Sequence, residues 1–503
     1  METTRAPQPG APPSPTHPEL AGPPPLIPRA ILFGNPERTN PQLSPDGRYL
    51  AYLAPDEKDV LQVWLRDLSA GKPGGPDEQR GERQPGGAGG PPATDQVLTA
   101  DKKRGIHSYF WTYDGAQLVY LQDADGDENF HLYAVNIRSR IVRDLTPSQG
   151  IQARLVARDP SFPHELLVEM NLQDRRKHDV YRVNLKNGAV EFDTENPGNV
   201  TGNAYRAGWT VDARFQVRAA HATTPDGGHD LLLRDAAGGA WRVARHWGPD
   251  DEGYALDFSA DGATLYLAAN HDANALRLLA VDVATGQETV VAEDPQYDVG
   301  GRLWHPTRRV VQAVAFNRER LEWQVLDQDV AADFDALAQI HPGQIGVVSR
   351  DLADTTWLVS YATDDGPVYY YTYDRRSRTG RRLFSHQPRL EGLPLAPMQP
   401  ITYTSRDGLT IHGYLTTPVF SALPEGAAGA PAQRRPLVLL VHGGPWGRDT
   451  WGYRPWVQWL ANRGYAVLQV NFRGSSGYGK AFLNAGDREW GGKMHDDLID
   501  GVE

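Results

Sequence analysis

The amino-acid sequence predicts two successive domains of different class, a seven-bladed β-propeller and then the first part of an α/β domain. Two observations carry this. A turn-and-strand pattern returns every 40 to 50 residues up to about residue 395, and beyond Pro400 it gives way to strand, helix, strand, helix. The length of 503 residues fits two large domains or three ordinary ones.

The repeat is clearest at residues 40–53, NPQLSPDGRYLAYL, where an Asp-Gly turn precedes an apolar strand. It returns as YFWTYDGAQLVYL at 109–121 and ALDFSADGATLYLAA at 255–269, with weaker echoes at 158–170, 208–220, 302–314 and 350–362. The turns fall near 44, 112, 160, 210, 259, 305 and 353, at intervals of 68, 48, 50, 49, 46 and 48 residues. The long first interval contains a Gly/Pro-rich insertion, 71–95, whose removal leaves 43. Later strands support the same unit: VWLRDL at 63–68, HLYAVNI at 131–137, DVYRVNL at 179–185, RLLAVDVATG at 277–286 and VYYYTYD at 368–374. A constant period with several short strands per unit is the mark of a propeller, here assigned to 31–397, whereas a pair of β-sandwiches needs no period. One acidic stretch, Asp123 to Asn129, begins like a calcium loop. Its glycine follows the second Asp rather than the third, and its twelfth position is Ala134 instead of Glu, so a polar hairpin is expected there.

Residues 1–30 are rich in proline and are expected to be disordered. They lack the apolar core of a secretory signal, and the longest apolar run, Leu437 to Val441, is too short to cross a bilayer. A soluble cytoplasmic protein is expected. The net charge of −12, with no basic run, argues against nucleic acid as a partner. The chain has no cysteine, which excludes disulfides, thiolate metal sites and a cysteine nucleophile.

Residues 398–503 open with a hairpin, ITYTSRDGLTIHGYLTTP, and continue into PLVLLVHGG, an apolar run that suits a strand buried on both faces. A helix is expected at 456–465, a second buried strand at 466–474, and a helix beginning at Met494. Between the first buried strand and the first helix stands His442-Gly443-Gly444-Pro445. In α/β-hydrolases a His-Gly-Gly loop after the third strand supplies one backbone N–H of the oxyanion hole. Glycine suits it because backbone must approach the substrate closely and adopt unusual φ. Glycines serving only to pack a tight turn are the plainer reading, and His442 itself reads as a structural residue of that turn.

With Asn471 to Gly479 (NFRGSSGYG), Trp490-Gly491-Gly492 and Asp496-Asp497-Leu498 following in order, the chain resembles the prolyl oligopeptidase family of serine peptidases. The likeness is to its acylaminoacyl-peptidase and dipeptidyl-peptidase-like branch. The resemblance implies an α/β-hydrolase domain behind the propeller. It also implies short peptide substrates cleaved through a Ser-His-Asp triad without metal or cofactor, and an oxyanion donor at Gly444 with Gly443 beside it. No serine here lies in Gly-x-Ser-x-Gly; Ser476 has Gly474 two before but Tyr478 two after. Triad order in this fold is Ser, Asp, His. His495, Asp496, Asp497 and Asp500 therefore read as helix-terminal and surface residues, and all three catalytic groups are expected after Glu503. An esterase-type hydrolase and a non-catalytic propeller scaffold are the competing functions.

Overall fold

The computed structural model describes residues 22–69, 95–202, 208–420 and 435–503. Between 39 and 385 the chain forms seven antiparallel sheets of consecutive strands: 39–97, 109–144, 153–194, 209–247, 253–292, 299–325 and 344–385. Six have four strands. Sheet six has three, and its last strand runs into a short 3-10 turn and the helix Ala331–Leu337, which buries Phe334 and Leu337 against Trp357 of sheet seven.

The repeated turn has one geometry. The fourth residue donates its N–H to the carbonyl of the first in Ser44–Gly47, Thr112–Gly115, Asp159–Phe162, Asp212–Phe215, Ser259–Gly262 and Asp351–Asp354. The first side chain accepts a second N–H farther on, as Ser44, Thr112, Asp212, Ser259 and Asp351 all do. Glycine at the fourth position adopts positive φ without strain. Phe215 and Asp354 adopt it at the same position, at φ of 58° and 54°, and Arg309 adopts it one residue later in the turn that starts at His305, at 52°, so these repeats look weak as sequence.

Apolar clusters join each sheet to the next. Examples are Val63 with Leu118, Leu132 with Leu166, Leu167 with Val217, Leu231 with Leu267, Leu278 with Val314, and Leu303 with Trp357. A further cluster returns from sheet seven to sheet one through Leu358, Leu50 and Tyr52. Among the described residues no strand is exchanged at that junction. Side-chain packing holds it, with the Leu43 N–H donating to Ser349 Oγ (3.0 Å) and Leu352 N–H to the Pro45 carbonyl (2.8 Å).

Arg309 ties together distant parts of this array. From its turn in sheet six, the guanidinium donates to Asp159 of sheet three, to the Val211 and Asp212 carbonyls of sheet four, and to Asp257 of sheet five, all within 3.2 Å. Burial pushes the Asp257 carboxyl up to about 6 against the opposing pull of Arg309. The insertion expected at 71–95 lies outside the described residues except for Asp95. That residue belongs to the core of sheet one, where it accepts from Arg66 (2.7 Å) and pairs with Tyr52.

The C-terminal half is one four-stranded sheet built from β1 (Met398–Thr404), β2 (Thr410–Thr416), β3 (Leu437–Leu440) and β4 (Ala466–Asn471), in the order β1-β2-β4-β3. β4 is antiparallel to β2 and parallel to β3. The β3–β4 crossover carries helix α1 (Pro455–Ala461); α2 (Lys480–Asn484) and α3 (Lys493–Asp500) follow β4. All six residues of β4 are buried, the apolar Ala466, Val467, Leu468 and Val470 together with the polar Gln469 and Asn471. β3, expected from its apolar run to be buried on both faces, is instead an edge strand among the described residues and is only half-buried.

Residues 22–30, expected in the disordered N-terminus, depart from that expectation. The Ile27 N–H donates to Asn462 Oδ1 (2.7 Å), and Ile27 and Leu32 pack with Leu390, Leu395, Tyr453 and Trp459. The isoleucine and leucine punctuating the prolines supply the apolar contact that proline-rich composition conceals.

Arg309→Met is expected to lower the stability of the propeller half by about 3 kcal/mol, because it leaves Asp159 and Asp257 without their cation. Denaturation with urea measures this. The raised Asp257 carboxyl holds its proton more tightly when folded. Its contribution is therefore full below the ordinary carboxylate value of 3.8 and lost as pH rises to about 6. Asp257→Asn should flatten the stability profile across that window, and an unchanged profile would contradict the assignment.

Candidate active-site loop

β3 ends at Leu440, and the loop 442–449 leaves the sheet toward the propeller. His442 stacks on Phe472, which follows β4, with ring centroids 4.7 Å apart and planes at 13°. Its Nε2 lies 3.0 Å from Ser475 Oγ, and Ser475 is fully buried and donates to the Phe472 carbonyl (2.6 Å). His442 is thus held as part of the turn.

Gly444 sits at φ 140°. A Cβ there would lie 2.6 Å from the Trp446 nitrogen and 2.8 Å from the Gly447 nitrogen, so only glycine fits without moving backbone. Gly443 and Gly444 are exposed, and neither N–H has a hydrogen-bond partner among the described residues. Two adjacent free donors at the end of a buried sheet are suited to receiving an oxyanion.

The far side of the loop is anchored to β4. Asn471 accepts from the Asp449 N–H (2.7 Å) and donates to the Asp449 carbonyl (3.0 Å) and to the Tyr478 hydroxyl (2.8 Å). Burial pushes the Asp449 carboxyl up, and His442 and Arg454 oppose it. The Gly447 carbonyl accepts from Ser476 N–H (3.0 Å). The Ser476 hydroxyl itself has no partner among the described residues.

The acids read from sequence as surface groups divide. His495 is exposed and Asp496 pairs with Arg406 (3.1 Å) near the surface, as expected, whereas the Asp500 side chain is largely covered where it accepts from Arg406 (2.6 Å) and Ser405. Asp497 is fully buried, which corrects the sequence reading. It accepts from Arg473 Nε (2.8 Å), Nη2 (2.7 Å) and backbone N–H (2.9 Å). Arg473 also forks onto Asp407 in the β1–β2 turn, at 2.8 Å through both Nη atoms, holding that carboxyl well below the usual range. Nothing in MHDDLID marks one acid as internal, because its partner lies 24 residues earlier.

The loop faces a closely packed junction with sheets five to seven. Lys480 pairs with Asp251 (2.6 Å), Asn274 accepts from Ala481 N–H (2.9 Å), and Tyr414 donates to the Glu319 carbonyl (2.9 Å). In the acidic hairpin of sheet two, Asp123 faces Arg104 (3.4 Å) and Asp125 faces Lys103 (2.7 Å). Among the described residues no helix is long and apolar enough to cross a membrane.

The described residues thus form consecutive antiparallel sheets of a propeller type, followed by a mixed sheet with a glycine loop after its third strand. Comparison with known proteins narrows this. A model of the prolyl oligopeptidase family matches residues 451–503. Dipeptidyl aminopeptidase BIII of Pseudoxanthomonas mexicana is 44% identical over 95% of this chain and 65% of its own length. Dipeptidyl peptidase family member 6 of Caenorhabditis elegans is 28% identical over the same shares. The solved Pyrococcus horikoshii acylaminoacyl peptidase superposes with a TM-score of 0.59 at 14% identity, over 94% of this chain and 71% of that one. The chain belongs to the prolyl oligopeptidase family. It spans 65% of the length of these curated relatives.

Arg473→Met strands the fully buried Asp497 without a cation and is expected to cost roughly 3 to 5 kcal/mol. Chemical denaturation followed in the C-terminal half measures it. A loss below 1 kcal/mol, the range of a surface pair, would refute the buried clamp.

Proposed function

We propose that this chain carries the propeller and the oxyanion loop of a serine-type peptidase acting on short peptides or dipeptide N-termini. The seven sheets form the blades of a ring over 31–397, and 398–503 form the N-terminal part of the α/β-hydrolase domain. The Gly444 N–H, with Gly443 beside it, receives the charge of the tetrahedral intermediate. The serine that attacks, and the His and Asp that activate it, lie after Glu503, so the 503-residue chain is inactive alone. Two free N–H groups on a loop that admits only glycine, directly after β3, are the observation that carries this reading. The names of the relatives, a dipeptidyl aminopeptidase and an acylaminoacyl peptidase, support the substrate class.

The mechanism asks little of the side chains described above. Attack on a peptide carbonyl places negative charge on its oxygen, and prearranged N–H donors stabilise that charge without reorganisation, each by about 3 to 4 kcal/mol. His442, Ser475 and Asn471 hold the donors in place.

A fluorophosphonate probe is expected to leave the 503-residue chain unlabelled; labelling would place the nucleophile within it. In a longer chain that carries the nucleophile, Gly444→Ala should lower kcat about 100-fold with KM nearly constant. An equal loss in binding would show that the loop contacts the substrate uniformly and does not serve the transition state.

A further inference from the structure

Arg448 lies four residues after Gly444 and directs its guanidinium out of the C-terminal half into the propeller. Nη1 donates to the Asn317 carbonyl (3.0 Å) and Nη2 to the Arg318 carbonyl (3.1 Å), both at the end of the second strand of sheet six. Nη2 also donates to the Tyr478 hydroxyl (2.8 Å), and the guanidinium lies over the Tyr478 ring, 4.0 Å from its centroid. Gly477 admits this approach, since a Cβ there would lie 2.6 Å from Nη1. Among the described residues no carboxylate pairs with Arg448. Its charge is met by carbonyls, a phenol and a π face.

The same phenol accepts from Asn471, whose side chain holds both the N–H and the carbonyl of Asp449. Residues 448 and 449 are therefore fixed by one network that includes two propeller carbonyls. The segment 443–447 hangs between this anchor and the His442–Ser475 contact; among the described residues its backbone is held by Ser476 N–H, which donates to the Gly447 carbonyl (3.0 Å), and by His442 Nδ1, 3.0 Å from the Gly443 carbonyl.

We propose that Arg448 is a positioning residue that couples docking of the C-terminal half on sheet six to the geometry of the Gly443 and Gly444 donors. This rests on the reading of those N–H groups as oxyanion donors. When the halves part, Arg448 loses both propeller carbonyls and the loop loses its far anchor. The donors are then aligned only in the docked state. The planar fork is required, because a lysine reaches one acceptor at a time.

Hydrogen exchange of the 503-residue chain, read by mass spectrometry, tests this with Arg448→Met, Arg448→Lys and Tyr478→Phe. Arg448→Met should raise exchange of residues 446–449 roughly tenfold, while sheets two and three stay unchanged. Arg448→Lys should recover part of the protection, and Tyr478→Phe, which keeps the ring but removes the acceptor, should show a smaller rise at the same residues. Unchanged exchange at 446–449 in a folded Arg448→Met chain overturns the proposal, as does a rise spread evenly over 398–503. Should Arg448→Met fail to fold, the other two variants decide: no local rise in either overturns it. Exchange reads the anchor independently of catalysis, so a failed peptidase assignment would appear in the probe-labelling experiment and not here.

Discussion

Each sheet between residues 39 and 385 has apolar faces that only its neighbours can cover, and this constraint orders the rest of the molecule. A four-stranded sheet of this size cannot bury Leu118, Leu166 or Leu267 by itself, so it must stand against the next sheet. Strands alternate in direction, so the turns between second and third strands all emerge on one side of the array. The C-terminal half rests on that side, against the turns near Asn274, Asn317 and Thr363. The turns that begin each repeat emerge on the opposite side, where Arg309 draws four sheets together.

In the C-terminal half the organising element is the end of β4. Burial of the whole strand fixes Asn471 at its end and the path of the four residues that follow, and these five residues meet everything of chemical interest. Phe472 and Ser475 hold His442, Arg473 joins the β1–β2 turn to α3, and Asn471 holds Asp449. The loop that presents Gly444 is thus shaped less by its own sequence than by β4, whose Gln469 pairs with Leu440 at the end of β3, 29 residues earlier.

Much of this was legible in the sequence. Asp-Gly turns placed the repeats because glycine tolerates positive φ, and the apolar run at 437–441 announced a strand followed by a glycine loop. Sheet six was harder, since its turn has Arg309 at positive φ in place of glycine and its fourth strand is replaced by a helix. The buried role of Asp497 and the reach of Arg309 to Asp159 were not legible. Both depend on partners brought together by the fold, 24 and 150 residues away, and a charged residue looks the same in sequence whether its partner is a protein group or water. Residues 22–30 were misread for the opposite reason: composition dominated the two apolar side chains that matter.

The reach of Arg309 bears on how such an array can evolve. Tandem repeats gain and lose units by recombination between similar segments, and neighbour-only packing tolerates that, because each junction resembles the next. A side chain that spans from sheet six to sheet three fixes the number of intervening units at two. Duplication or deletion of sheet four or five would separate Arg309 from Asp159 and strand both charges, so selection can act on unit number in this stretch and not only on the quality of each junction.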